Sequence, residues 1–176
     1  MWTTHSSSTG RSQAVAYDSA ISLSGGAVVL TDAGTYTVRS CTFDHCYAFY
    51  YGAAVDEGPV DLHFERNVVA NCSGLSAVSR FGGTLTTSCD VYWANQENFY
   101  NWPPAATDIF ADPQFCNAPL QDYAVNAASP CLPGNGNPAC TELIGALGQG
   151  CGVVSIEPLS WGRLKGIYRT EGSDRP

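Results

Sequence analysis

The sequence predicts an all-β fold, a right-handed parallel β-helix with an irregular, disulfide-closed C-terminal end, and three observations predict it. The first is a repeat. At a shift of 26, Gly26 falls on Gly52, Val38 on Phe64, Cys41 on Asn67, Phe43 on Val69 and Cys46 on Cys72; at a further shift of 22, Asn67 falls on Cys89 and Val69 on Val91. Fixed-period self-similarity of short apolar runs means stacked coils. The second is composition: only 14% of the 176 residues are charged and 18 are glycine, which suits short strands joined by tight turns. The third is that each repeat holds three short alternating segments, broken by Asp32-Ala33-Gly34, Asp56-Glu57-Gly58-Pro59 and Phe81-Gly82-Gly83.

The elements follow in chain order. Residues 1–13 read as a flexible polar lead, 14–152 as the solenoid with its terminal coil, and 153–176 as a tail with a short capping helix that carries Trp161, Leu164 and Tyr168 on one face. A partial coil holds Val15 and Ile21 to Leu23. The first full coil runs from Gly25 through Tyr36 to Phe43, the second from Gly52 through Leu62 to Val69, and the third from Ser76 through Leu85 to Tyr92. Aligned residues of neighbouring coils then stack about 4.8 Å apart. Beyond Gln96 the pattern breaks into an aromatic loop, a final irregular coil near Asp108 to Val125, and a turn-rich loop between Cys131 and Cys140.

Charge and cysteine content limit the function. With 8 Lys and Arg against 16 Asp and Glu, the net charge is −8, and no partner held through nucleic-acid phosphates is expected. No stretch approaches the 18 apolar residues of a membrane span. Eight cysteines point to an oxidising compartment, hence a secreted or surface protein. The first ten residues lack a basic n-region and an apolar h-region, so the expectation is a mature or truncated product with coils missing upstream. An uncovered N-terminal solenoid end predicts self-association through Val15 to Leu30. Cys46 and Cys72, aligned in adjacent coils, are expected to be bonded or in contact. Cys131–Cys140 is expected to close the terminal loop, Cys41 and Cys89 are expected not to bond, and Asn67 is expected to point inward between them.

The run Gly25-Gly26-Ala27-x-x-Leu30 with Cys41-x-Phe43-x-x-Cys46 resembles the right-handed parallel β-helix repeats of bacterial secreted and surface proteins. The run Asp112-Pro113-Gln114-Phe115, Asp122-Tyr123, Ser129-Pro130-Cys131, Ile144-Gly145-Ala146-Leu147-Gly148 resembles the C-terminal end of those solenoids. The resemblance covers about residues 14–152. It implies architecture only, because such proteins include lyases, hydrolases and adhesin-like binders that share no catalytic motif.

Strand alternation supplies the candidate site. Leu62 and Phe64 face the core, so Asp61, His63 and Glu65 point outward along one line, with Arg39 against Glu65 and Thr37 against His63. This patch is either a solvated face with a lateral ion pair or a catalytic set, with His63 as acid or base, Asp61 or Glu65 orienting it or holding a cation, and Arg39 at a developing oxyanion. Asp44-His45 can join it if the turn folds back; His5, in the lead, is expected to be inert. Tyr92, Trp93, Tyr100 and Trp102 are candidates for stacking on sugar rings, or else they fill and seal the coil. Asp108 and Asp112 are candidates for Ca²⁺, or else they cap turns. No Gly-x-Ser-x-Gly elbow, P-loop or His-Glu-x-x-His occurs. The expected function is a module binding glycan or an assembly partner. The alternative is a hydrolase or lyase, with or without Ca²⁺, acting on a polysaccharide, ester or lactone.

Overall fold

The computed structural model describes residues 15–17, 27–30, 33–57 and 60–151, and leaves the side chains of residues 15–17, Tyr50, Tyr51 and residues 55–57 aside. The lead, the Ile21–Leu23 segment, Gly25, Gly26 and the Trp161 helix lie outside these residues.

The described chain is a β-solenoid. After β1 (Val15–Tyr17), one coil is β2 (Val28–Leu30), β3 (Thr35–Arg39) and β4 (Thr42–Asp44). The next is β5 (Tyr47–Glu57), β6 (Asp61–Glu65) and β7 (Val68–Ala70). The third is β8 (Ser73–Arg80), β9 (Thr84–Ser88) and β10 (Val91–Trp93), and β11 (Phe99–Tyr100) begins a fourth. Equivalent strands stack in parallel into three sheets, ordered β1-β4-β7-β10, β2-β5-β8-β11 and β3-β6-β9. Alternation places the core as expected: Leu62 and Phe64 are buried while Asp61 and His63 are exposed. Phe64 stacks on Phe43 of the preceding coil, with ring centroids 6.2 Å apart.

The register from the first to the second coil is the expected one: Val38 pairs with Phe64 and Arg39 with Glu65. The next coil corrects the expected shift by one residue, because Val68 pairs with Val91 and Val69 with Tyr92. Asn67 therefore stacks on Asp90, not on Cys89. The reason is a hydrogen-bond ladder inside the corner between the sheets. Asn67 Oδ1 accepts from Cys41 N–H (2.9 Å), its Nδ2 donates to Val38 O and to Asp90 Oδ1 (both 3.0 Å), and its N–H donates to Asp90 Oδ1 (2.7 Å). Asp90 N–H in turn donates to Asp108 Oδ1 (3.2 Å), and the Val91–Ile109 bridge continues the stack. Buried backbone groups at the corner need such partners, and a thiol at this position supplies them poorly. Cys89 instead takes the left-handed corner position (φ 56°), as Arg66 and Ser40 do in the coils before it.

From Ala111 onward the chain leaves the stack and covers the outer face of the β1-β4-β7-β10 sheet. There β12 (Phe115–Asn117), a single 3₁₀ turn at Ala118–Leu120, β13 (Asp122–Asn126) and β14 (Gln149–Cys151) form a small sheet. A second core results, in which Val68, Ala70 and Val91 meet Val125, Cys131 and Ile144. Ala146 N–H donates to Thr42 Oγ1 (3.1 Å), and Arg66 pairs with Glu142.

The cysteines correct one expectation. Disulfides join Cys89 to Cys140 and Cys116 to Cys151, while Cys131 is free and buried. Burial pushes the Cys131 thiol up to about 11. Cys131 N–H donates to Ser129 Oγ and its side chain fills the second core, whereas the outward corner position of Cys89 presents its sulfur to the covering segment. Cys46 and Cys72 touch without bonding: the hydrogen bond with Cys46, then burial, holds the Cys72 thiol well above its usual range. Cys41 and Cys89 are not bonded to each other, as expected.

Gly83 fixes the turn between β8 and β9. Its φ is +58°, and a Cβ there would lie 1.7 Å from Val60 O in the coil below. Gly83→Ala meets both backbone strain and a backbone clash, so it should lower stability by about 1–3 kcal/mol or more. A denaturation midpoint equal to that of the wild type would refute this stacking of turns.

Candidate functional site

The outward face of β3-β6-β9 holds the residues that alternation places there. Arg39 Nε and Nη2 both donate to Glu65 Oε2, at 3.0 and 2.5 Å. Thr84 Oγ1 donates to Asp61 Oδ1 (2.6 Å), and exposed His63 stands between Thr37 and Thr86. Arg39 and Glu65 thus satisfy one another, Asp61 is tied to the following coil, and the strip stays on a sheet face.

The aromatic residues part company. Tyr92 is only 1% exposed, so its ring is a core filler and cannot lie against a ligand. It packs edge-on to Phe99 (4.6 Å) and against Phe110 (5.8 Å), and Trp102 packs edge-on to Phe99 (5.1 Å). These rings seal the end of the coil interior. Tyr100 lies against Phe81 at the corner after β8 (5.6 Å). Tyr100 and Trp93 are both exposed, at 38% and 41%, and Trp93 is the one of the four that lines a depression.

The carboxylates at Asp108 and Asp112 are engaged locally. Asp108 Oδ2 accepts from Thr87 Oγ1 (3.0 Å) and Ala105 N–H (2.9 Å), while Oδ1 accepts from Asp90 N–H. Asp112 Oδ1 caps Gln114 N–H (2.7 Å). Among the described residues, no three His, Cys, Asp or Glu side chains come together to hold a metal ion.

A concave feature lies where the covering segment meets the third coil. A groove of about 320 Å³ runs between Asn71 and Trp93 on the solenoid and Asp112, Gln114, Phe115 and Asn117 on the covering chain. Trp93 supplies a flat apolar face; Asn71, Asp112, Gln114 and Asn117 bring polar side chains, and Pro113, Phe115, Cys116, Ala118 and Pro119 complete the lining. Beside it, Asp44 is fully buried under the covering segment. Its Oδ1 accepts from Asn71 Nδ2 (2.7 Å), and its Oδ2 accepts from Tyr123 O–H (3.0 Å) and His45 Nδ1 (2.7 Å). An ionised carboxylate can only accept, so in this contact the His45 Nδ1 is the donor. The His45 side chain is 56% exposed. His45 and Asn71 hold the same left-handed corner position in successive coils, with φ 51° and 53°, and His45 N–H donates to Ala70 O (3.1 Å).

The shift of 26 that aligns Cys46 with Cys72 also places His45 on Asn71, so that pairing was legible in the sequence. Tyr123 and the far wall of the groove left no such signal, because they reach the coil from the covering segment.

The fold and its two disulfides define the chain as a β-solenoid with a covered outer face. No protein-family model, curated protein or solved structure matches it. Among the described residues, no helix is long and apolar enough to cross a membrane.

Proposed function

We propose that this chain is a glycan-binding module of a secreted or cell-surface β-helix protein, and that the glycan lies in the groove beside Trp93. The carrying observation is the exposed indole inside a concavity whose other walls set amides and a carboxylate among apolar side chains. A sugar ring stacks its C–H face on such a ring while its hydroxyls take the polar groups. Asn71, Gln114 and Asn117 each offer both a donor and an acceptor, which suits hydroxyls. The net charge of −8 disfavours polyanions, so a neutral polysaccharide is the fitting ligand class. The two disulfides fit an oxidising compartment.

Affinity electrophoresis through gels containing xylan, glucomannan or mixed-linkage glucan tests this. The wild type should be retarded by at least one of them, and Trp93→Ala should bind about tenfold or more weakly, the equivalent of roughly 1.4 kcal/mol of lost stacking. Equal retardation of the two proteins, or none by any neutral polymer, would remove the reading.

A further inference from the structure

We propose that the glycan in this groove carries free amino groups, and that the ring stacked on Trp93 is an amino sugar whose ammonium pairs with the Asp112 carboxylate. The inference rests on the binding reading above and narrows it: neutral rings fill the groove, and one cationic ring is selected.

The charge preference comes from how Asp112 is held. It is exposed at the start of the covering segment, next to the buried Pro113. Its Oδ1 accepts from Gln114 N–H (2.7 Å), which orients the carboxylate and leaves Oδ2 for a partner from outside. Every described arginine is engaged elsewhere. Arg39 pairs with Glu65, Arg66 with Glu142, and Arg80 donates to the carbonyls of Gly82 and Gly83. Among the residues that line the groove, Asp112 brings the one acidic side chain and none is basic. An uncompensated carboxylate on a wall of uncharged groups sets a local negative potential, and the net charge of −8 adds to it at longer range. A uronate or a sulfate finds no cation there and meets Asp112 as a like charge.

Trp93 strengthens the same preference. A cation is drawn to the face of an indole more strongly than to that of Tyr or Phe, and this indole is 41% exposed. Trp93 and Asp112 line one groove of about 320 Å³, so an ammonium on the stacked ring can pair with the carboxylate without leaving the indole. Asn71, Gln114 and Asn117 add amide oxygens that accept from an ammonium and amide N–H groups that donate to hydroxyls. N-acetylation of the sugar removes the charge, as it does on lysine, and so supplies the control ligand.

The test is isothermal titration of the whole chain with N-acetylglucosamine hexamer and with the same hexamer partly stripped of its acetyl groups. At low salt the wild type should bind the partly deacetylated hexamer about tenfold more tightly, from one exposed ion pair and one exposed cation–π contact. Asp112→Asn keeps the oxygen that accepts from Gln114 N–H and should bind both hexamers alike, with the thermal midpoint of the wild type. High salt should erase the preference in the wild type. Equal affinity of the wild type for the two hexamers overturns the inference. A preference that survives in Asp112→Asn also overturns it, because the overall charge and not the groove then draws the cation. Displacement of the hexamer by an equimolar oligolysine overturns the amino-sugar assignment, since the groove would then read any ammonium. Binding of the partly deacetylated hexamer alone keeps the inference and removes neutral polymers as the ligand. Binding of neither hexamer overturns the inference, and the binding reading then stands only if a neutral polymer still retards the chain.

Discussion

Asp90→Asn should make the protein more stable at pH 7 and remove part of its pH dependence. Asp90 is fully buried in the corner ladder, where it accepts from Asn67 N–H and Nδ2 while its Oδ2 has no hydrogen-bond partner. Desolvation, with the nearby Asp108 charge adding to it, holds its carboxyl well above the ordinary value of 3.8 despite the bonds from Asn67; burial raises Asp108 as well. The sign follows from linkage. A folded-state value raised above the unfolded one means that the native protein binds the proton more tightly. Its stabilising contribution is complete below about pH 3.8 and is lost as pH rises through the raised folded value. Asparagine keeps the Oδ1 acceptor for both Asn67 bonds and carries no charge to desolvate. Urea midpoints of the two proteins should therefore coincide near pH 3.5, and the variant should gain on the wild type above it. The gain should grow by up to about 1.4 kcal/mol per pH unit while one proton separates the two states. Other carboxylates move both curves alike, so the difference between them is the readout. Parallel curves from pH 3 to pH 8 would show that Asp90 keeps its charge in the fold without penalty.

The same ladder shows why part of the fold was legible in the sequence and part was not. The first two full coils repeat at 26 through β3-β6 and β4-β7, so Val38 on Phe64 and Cys46 on Cys72 could be read directly. The next coil is shorter, and there the identity of Cys89 with Cys41 outvoted the chemistry. An inward amide needs an acceptor above it, and Asp90 supplies one where Cys89 does not. Reading the position by hydrogen-bonding capacity, with Asn67, Asp90 and Asp108 as one column, would have found the register. Alternation within a strand is local, which is why the outward line of Asp61, His63 and Glu65 and its pairing with Arg39 were visible. The groove was not, since Asp44 meets Tyr123 across 79 residues and Trp93 meets Gln114 and Asn117 only because the chain doubles back over an outer face. An outer strand reading Val68-Val69-Ala70, apolar on both sides, was the one available hint that something covers it.

That covering segment is where the second large effect is expected. The Cys89–Cys140 disulfide spans a sequence separation of 51 and fastens the turn-rich loop to the third coil. Closing a loop of this length removes about 4 kcal/mol of denatured-state entropy. The segment itself has little regular structure beyond β12, β13 and β14, and its second core of Val68, Val91, Val125 and Ile144 is small. The cross-link therefore bears much of the work of holding it down. Cys140→Ser should lower stability by about 2–5 kcal/mol, roughly a 10 °C fall in Tm for a chain of this size. The loss should not be uniform. The inner column of Phe43, Phe64, Val69 and Tyr92 belongs to the separate core inside the coils, so the stack can outlast its cover. Limited proteolysis of Cys140→Ser should cut first between 111 and 151, leaving a β-rich fragment that ends near Ile109. Because Asp44 loses its Tyr123 partner and the groove its far wall when the cover lifts, glycan retention should disappear in step with that cleavage. An unchanged Tm would show that the second core holds the cover without the cross-link, and first cuts inside the coils of residues 33 to 93 would show that the two cores melt as one.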